Sequence, residues 1–193
     1  MANCDLKITE DLLFDCEYMP KGGLAGSRAV LLNYEDIDRT ATTSTGALIN
    51  ALTLQEGLTG YKVEWYKKLG STETEFEASD DNIDGFKHSF LSRLAVTSLS
   101  NAERAGEMKS GKFVMVVETN YKGEDNEDAF KVYGFDVGME LTEMTGNSAE
   151  NAGSLLYTLS TEADEVERYP YMVLLETDYQ TTKDAFDALF ATV

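Results

Sequence analysis

The chain has 193 residues, with 35 acidic side chains against 16 basic ones, one histidine and a formal net charge of -19. That balance excludes a binder of nucleic-acid phosphate, which needs clustered Lys and Arg, and argues equally against an anionic membrane surface. With 42% hydrophobic and 10% aromatic residues the chain can bury a sizeable core, so disorder is disfavoured.

The stretch from Met1 to Cys16 is acidic and polar and lacks the basic and apolar regions of a secretory signal. No apolar run approaches the ~18 residues of a membrane span. Cys4 and Cys16 read as small thiols near one end that could pair, with no nearby Cys or His to complete a zinc site. The only prolines are Pro20 and Pro170, and no low-complexity linker interrupts the chain, so residues 1–193 read as one β-rich domain. Acidity is spread through it, with 16 acids against 9 bases in residues 1–100 and 19 against 7 in 101–193.

A glycine-rich approach, Gly22 to Gly26, leads into an apolar strand over Arg28–Asn33. Tyr61–Tyr66 alternates, with Tyr61, Val63 and Trp65 on one face. Phe86–Leu94 alternates more loosely. Ser100-Asn101-Ala102-Glu103 fits a capping box for a helix from about Asn101 to Lys109. Phe113–Thr119 is a continuous apolar run, expected to be buried on both faces. Phe130–Leu141 reads as one long strand, with Gly134 and Gly138 marking bends or bulges. Leu155–Ser160 and Met172–Thr177 add further strands, and a second helix starts near Thr181 with Phe186, Leu189 and Phe190 on one face. The expected fold is mainly β, a β-sandwich or partly closed barrel, with two short α-helices.

One internal echo appears. An apolar run followed by Glu118-Thr119-Asn120-Tyr121 returns as Glu176-Thr177-Asp178-Tyr179, each copy then followed by Ala-Phe at Ala129-Phe130 or Ala185-Phe186. It reads either as two buried strands with a shared turn chemistry or as structurally equivalent partners.

Motifs for chemistry are sparse. Asp80, Asn82 and Asp84, followed by Gly85, make the opening half of a calcium loop. The closing Glu is absent, Leu91 standing in its place, and the chain turns into a strand where an exiting helix would be needed. A metal site is therefore not expected, and these three residues are the weak candidate for one. His88 lies in a strand, where a hydrogen-bonded structural role outweighs catalysis. There is no nucleophile elbow, P-loop, dinucleotide fingerprint or zinc-protease motif. The acidic groups at Glu35/Asp36/Asp38, Glu73/Glu75/Glu77, Glu124/Asp125, Glu127/Asp128 and Asp164/Glu165/Glu167 read as solvated faces, with Glu73–Glu77 and Glu124–Asp128 as solvated hairpins or loops. Tyr61, Trp65 and Tyr66 could form a sugar-stacking platform, although core packing at an edge fits them better. Neither a catalytic residue nor a cofactor is expected, and the chain does not read as an enzyme.

The succession GGLAGSRAVLLNYEDID (22–38), FKHSF (86–90), GKFVMVVETN (111–120) and FKVYGFDVGMEL (130–141) resembles tail structural proteins of phages that infect Bacteroidetes, in particular tail-tube-like proteins. The likeness spans most of the chain through soft patterns and transfers no individual functional residue. It implies a β-sandwich or barrel with a flanking helix, six subunits in a ring, sheets lining a central channel, and rings stacked through a long hairpin or loop. Lys67–Gly85 and Lys122–Asp128 are the polar segments where such a loop could sit. The implied role is a virion structural protein, assembled in the host cytoplasm, whose partners are copies of itself and other tail or neck proteins. DNA would pass an acidic lumen without specific binding, since like charge repels phosphate. Other readings are a neck or tail-terminator ring, a capsid decoration protein, and a calcium- or carbohydrate-binding module.

Overall fold

A computed structural model describes residues 8, 10–12, 21–78, 83–150, 153–162 and 164–190. The expected fold class holds: the described chain is mostly strand, in two sheets, with two short helices and no closed barrel among the described residues. The strands are β1 (Leu24–Asn33), β2 (Thr43–Thr45), β3 (Leu48–Ala51), β4 (Tyr61–Glu64), β5 (Ser71–Glu77), β6 (Gly85–Leu94), β7 (Phe113–Thr119), β8 (Phe130–Tyr133), β9 (Glu140–Gly146), β10 (Leu155–Ser160) and β11 (Met172–Leu174). The helices are α1 (Leu99–Glu107) and α2 (Tyr179–Ala188). A seven-stranded sheet runs β2-β3-β11-β8-β7-β1-β4, and a four-stranded sheet runs β5-β6-β10-β9.

β7 explains the layering. All of Phe113 to Glu118 is buried, so both faces of this central strand are covered. Val114 and Val116 join Val30, Leu32, Phe130, Leu174 and Phe186 in a cluster beneath α2. Phe113, Met115 and Val117 point the other way and join Leu31, Phe90, Tyr157 and Leu159 between the two sheets. The order of layers is therefore α2, large sheet, small sheet.

Several elements differ from their sequence readings. The expected long strand Phe130–Leu141 is two strands in different sheets. β8 stops at Tyr133, the chain turns through Gly134 (φ 73°) and Gly138 (φ 85°), and β9 leaves for the small sheet. Glycine at both positions supplies the left-handed backbone that the turn needs. Helix α1 is capped by Ser98, whose hydroxyl accepts from the Asn101 N–H at 3.2 Å. Ser100 is therefore inside the first turn, and the proposed capping box with Glu103 is not the one used. Asp178 caps α2 by accepting from the Thr181 N–H at 2.7 Å, which moves its start two residues ahead of Thr181. Glu73–Glu77, read as a solvated hairpin or loop, is strand β5 of an antiparallel hairpin, paired along its whole length with β6.

The echo segments are equivalent in part: their strands flank the same neighbour, but Ala129-Phe130 leads into β8 whereas Ala185-Phe186 lies in α2. β7 and β11 flank β8 on opposite sides, both antiparallel to it, and Val116 and Met172 both oppose Val132. The repeat aligns Val116 with Leu174 in sequence, so the spatial match is slipped by two residues. A slip of two keeps every side chain on its face.

Candidate functional site

The small sheet has one face on the core and one face that no other described element covers. The β5–β6 register places Glu73 opposite Ser89 and Glu75 opposite Lys87, and the β10 register places Thr158 opposite Leu91 and Glu143, and Ser160 opposite Ser89 and Glu140. Directly opposed residues share a face. The outward set on β5 and β9 is therefore Glu73, Glu75, Glu77, Glu140 and Glu143. Ser89, Thr158 and Ser160 form a hydroxyl band between them, with Ser89 Oγ donating to Ser160 Oγ at 2.9 Å. The cations on this face are Lys87 and Arg93. Lys87 lies 3.5 Å from Glu77 and Lys112 reaches Glu140 at 3.6 Å from beside the sheet, while Glu73, Glu75 and Glu143 have no ion pair among the described residues. Leu91 and Leu156 give the face its apolar content. β5 pairs only with β6 and β9 only with β10, so each edge strand presents a row of backbone donors and acceptors.

Behind this face lies a buried polar support. His88 is 1% exposed. Its Nε2–H donates to the Tyr169 carbonyl at 2.9 Å, and its Nδ1 accepts from the Gly134 N–H at 3.0 Å. Those bonds define a neutral ring, and burial lowers its pKa to about 4 against the pull of the Tyr169 and Pro170 carbonyls. Glu167 is equally buried. Its carboxyl accepts from the Asp136 N–H at 2.8 Å and the Val137 N–H at 3.0 Å. Burial pushes its pKa up to about 7, although the turn amides favour the charged form. His88 and Glu167 thus hold the same turn, Gly134–Gly138, that sends the chain from one sheet to the other. The clefts at Tyr34–Gln55 and at Thr45–Leu175 are lined by other residues, and what both groups do here is brace the turn.

A second buried carboxylate, Glu118, sits on the α2 side of β7. It accepts from the Tyr179 hydroxyl at 2.7 Å and from Lys122, with Lys183 at 3.9 Å. Burial alone would raise its pKa, but the bonds from Lys122 and Tyr179 outweigh burial and hold it below the usual carboxylate value. This cluster ties the two echo segments together, since Glu118 belongs to one and Tyr179 to the other.

The weak metal candidate is only partly placed. Asp84 is exposed just ahead of β6, and Asp80 and Asn82 lie outside the described residues, as do Cys4 and Cys16. Among the described residues no group of three His, Cys, Asp or Glu side chains could hold a metal ion. The aromatic platform does not form: Trp65 is buried against Phe90 at 5.9 Å, while Tyr61 and Tyr66 are exposed. Glu167 and Glu118 carry no sequence signal that separates them from the surrounding acids. No helix among the described residues is long and apolar enough to cross a membrane.

Comparison with family models, with curated proteins and with solved structures finds no match to this chain.

Proposed function

We propose that this chain is a virion structural protein, a subunit of a phage tail tube or tail ring that assembles around a DNA channel. The observation that supports this most is the uncovered face of the small sheet, with its carboxylates on both edge strands and hydroxyls between them. A lumen of that chemistry repels phosphate, so DNA moves past it without a holding site. The open edges β5 and β9 offer strand pairing to neighbouring copies, the kind of contact that can overcome repulsion between chains carrying -19 each. Residues that would bind DNA tightly are not required, and a catalytic residue has no place in this role.

Negative-stain imaging and mass photometry of the purified protein over a range of salt concentrations test the proposal. Closed rings or tubes are expected, and six copies per ring would agree with the resemblance. Monomers at every salt and protein concentration would overturn it. Tubes of indefinite length identify a tube subunit, and single closed rings identify a neck or terminator role.

A further inference from the structure

We propose that Arg39 is a docking point for a carboxylate from the Gly123–Asp128 turn of a second copy, so that copies join head to tail along the direction of β7. This rests on the assembly reading above and names the contact between stacked copies.

Arg39 is held in an unusual way for an exposed cation. Its guanidinium lies 4.5 Å from the centre of the Tyr34 ring and 4.5 Å from that of Phe135. Both rings are themselves fixed: Phe135 is buried, and the Tyr34 hydroxyl donates to the Asp136 carbonyl. Contact with two rings restricts the guanidinium, and a restricted planar fork is the geometry that takes a carboxylate with two parallel hydrogen bonds. Among the described residues no carboxylate pairs with Arg39, although most ordered cations here are paired: Arg28 with Asp187, Lys62 with Glu64, Lys112 with Glu165, Lys122 with Glu118. A shallow cleft of about 590 Å³ opens beside it, lined by Glu35, Asp38 and Gln55 among others. Asp38 is already engaged, its Oδ1 accepting from the Thr40 and Ala41 N–H groups at 2.9 and 3.0 Å. Glu35 and Asp38 both repel an incoming carboxylate and so set the affinity of the cleft.

The complementary group is at the other end of the same sheet. Tyr34 follows Asn33, which pairs with Phe113 at the start of β7. The Gly123–Asp128 turn follows the end of β7 and leads into β8. At ~3.3 Å per strand residue the two sites stand roughly 20 Å apart, so one copy cannot satisfy its own Arg39. Glu124, Asp125 and Glu127 are exposed. Asp125 and Asn126 adopt left-handed backbone, φ 50° and 63°, and the turn is closed by the Glu127 N–H to the Glu124 carbonyl at 3.0 Å and the Asp128 N–H to the Lys122 carbonyl at 2.8 Å. The turn therefore projects its side chains from a fixed frame. A contact between unlike ends of identical subunits propagates unless its rotation closes a ring, and one directed along a strand axis stacks copy on copy, as stacked rings require.

The test compares assembly of the parent with five variants by light scattering and mass photometry at low ionic strength. R39Q is expected to raise the concentration at half-assembly by at least about tenfold, because it removes one partner of a desolvated charge pair. R39K, which keeps charge without the fork, falls between, and E35Q lowers that concentration. R39E and E124K/E127K should each fail alone and assemble when mixed, since the mixture restores opposite charges at one junction. If the parent assembles and R39Q, R39E and E124K/E127K assemble equally well, this contact is wrong and the assembly reading stands. If the parent stays monomeric throughout, both fall. Weakening by E35Q would mean that the cleft takes a cation, which also overturns the inference.

Discussion

His88 and Glu167 should hide each other in the pH dependence of stability, and removing either should expose the other. In the folded protein burial holds His88 neutral down to about pH 4 and keeps Glu167 protonated up to about pH 7. Unfolded, they return to 6.5 and 4.5. Between pH 4.5 and 6.5 the unfolded chain therefore carries a proton on His88 and none on Glu167, while the folded chain carries one on Glu167 and none on His88. The proton counts match, so the pair contributes no slope in that window. In E167Q only His88 remains. The unfolded state then binds more protons, and stability rises with pH by about 1.4 kcal/mol per unit, on the order of 3 kcal/mol across the window. In H88N only Glu167 remains. The folded state then binds more protons, and stability falls with rising pH by a similar amount.

Urea unfolding of parent and both variants, in half-unit steps from pH 4.5 to 6.5 at constant ionic strength, measures this. Each variant also loses a constant amount from its broken bonds to the Gly134–Gly138 turn, about 1–3 kcal/mol, which shifts the curve without tilting it. Taking differences from the parent cancels the background of surface acids. Curves for E167Q and the parent that stay parallel across the window would refute the reasoning, as would slopes of the same sign in both variants.

Other expectations follow from single contacts. E118Q leaves Lys122 and Tyr179 facing an amide where a carboxylate stood and should cost about 2 kcal/mol in urea unfolding. F186A removes the ring that packs beneath α2 at 5.1 Å from Phe130 and should cost about 3–5 kcal/mol. G134A forces a Cβ to 2.9 Å from the Phe113 carbonyl oxygen at positive φ, so a loss of at least about 2 kcal/mol in thermal or urea unfolding is expected. E73K/E75K reverses charge on the exposed face with a stability change under about 1 kcal/mol, and rings of that variant should retain DNA in co-sedimentation where parent rings do not.

The fold was legible wherever burial alone decided the element. Phe113–Thr119 shows its two covered faces as an unbroken apolar run, and Phe186 with Phe190 marks the buried side of α2. What escaped depends on long-range partners. β5 reads as an acidic hairpin or loop because its outward residues are glutamates, and pairing with β6 decides between the two. The break between β8 and β9 is decided by His88 and Glu167, 46 and 31 residues away from their partners in the turn. The sandwich of Arg39 between Tyr34 and Phe135 has no periodicity to betray it. The outward carboxylates could be counted from sequence, but their common face needed the register.

The placement of charge carries the last step. A net charge of -19 need not burden one face if cations are spread evenly. Here most of the described cations lie elsewhere: Lys122 and Lys183 gather around Glu118, and Arg28 and Lys183 on Asp187, while Lys87, Arg93 and, from beside the sheet, Lys112 are the ones that reach this face. Glu73 and Glu75, two residues apart on one strand face, are left about 7 Å from each other, where like charges in water repel by about 0.6 kcal/mol, little screened within a Debye length. A lysine at either position would relieve that repulsion at no packing cost, because both side chains are exposed. The fold thus carries a small, avoidable penalty on the small-sheet face that no other described element covers. A lumen that must not hold DNA gives that penalty a use, and salt supplies the check: if the face lines a channel, assembly of rings should strengthen as ionic strength screens the carboxylates of neighbouring copies, up to the point where the Arg39 contact is screened as well.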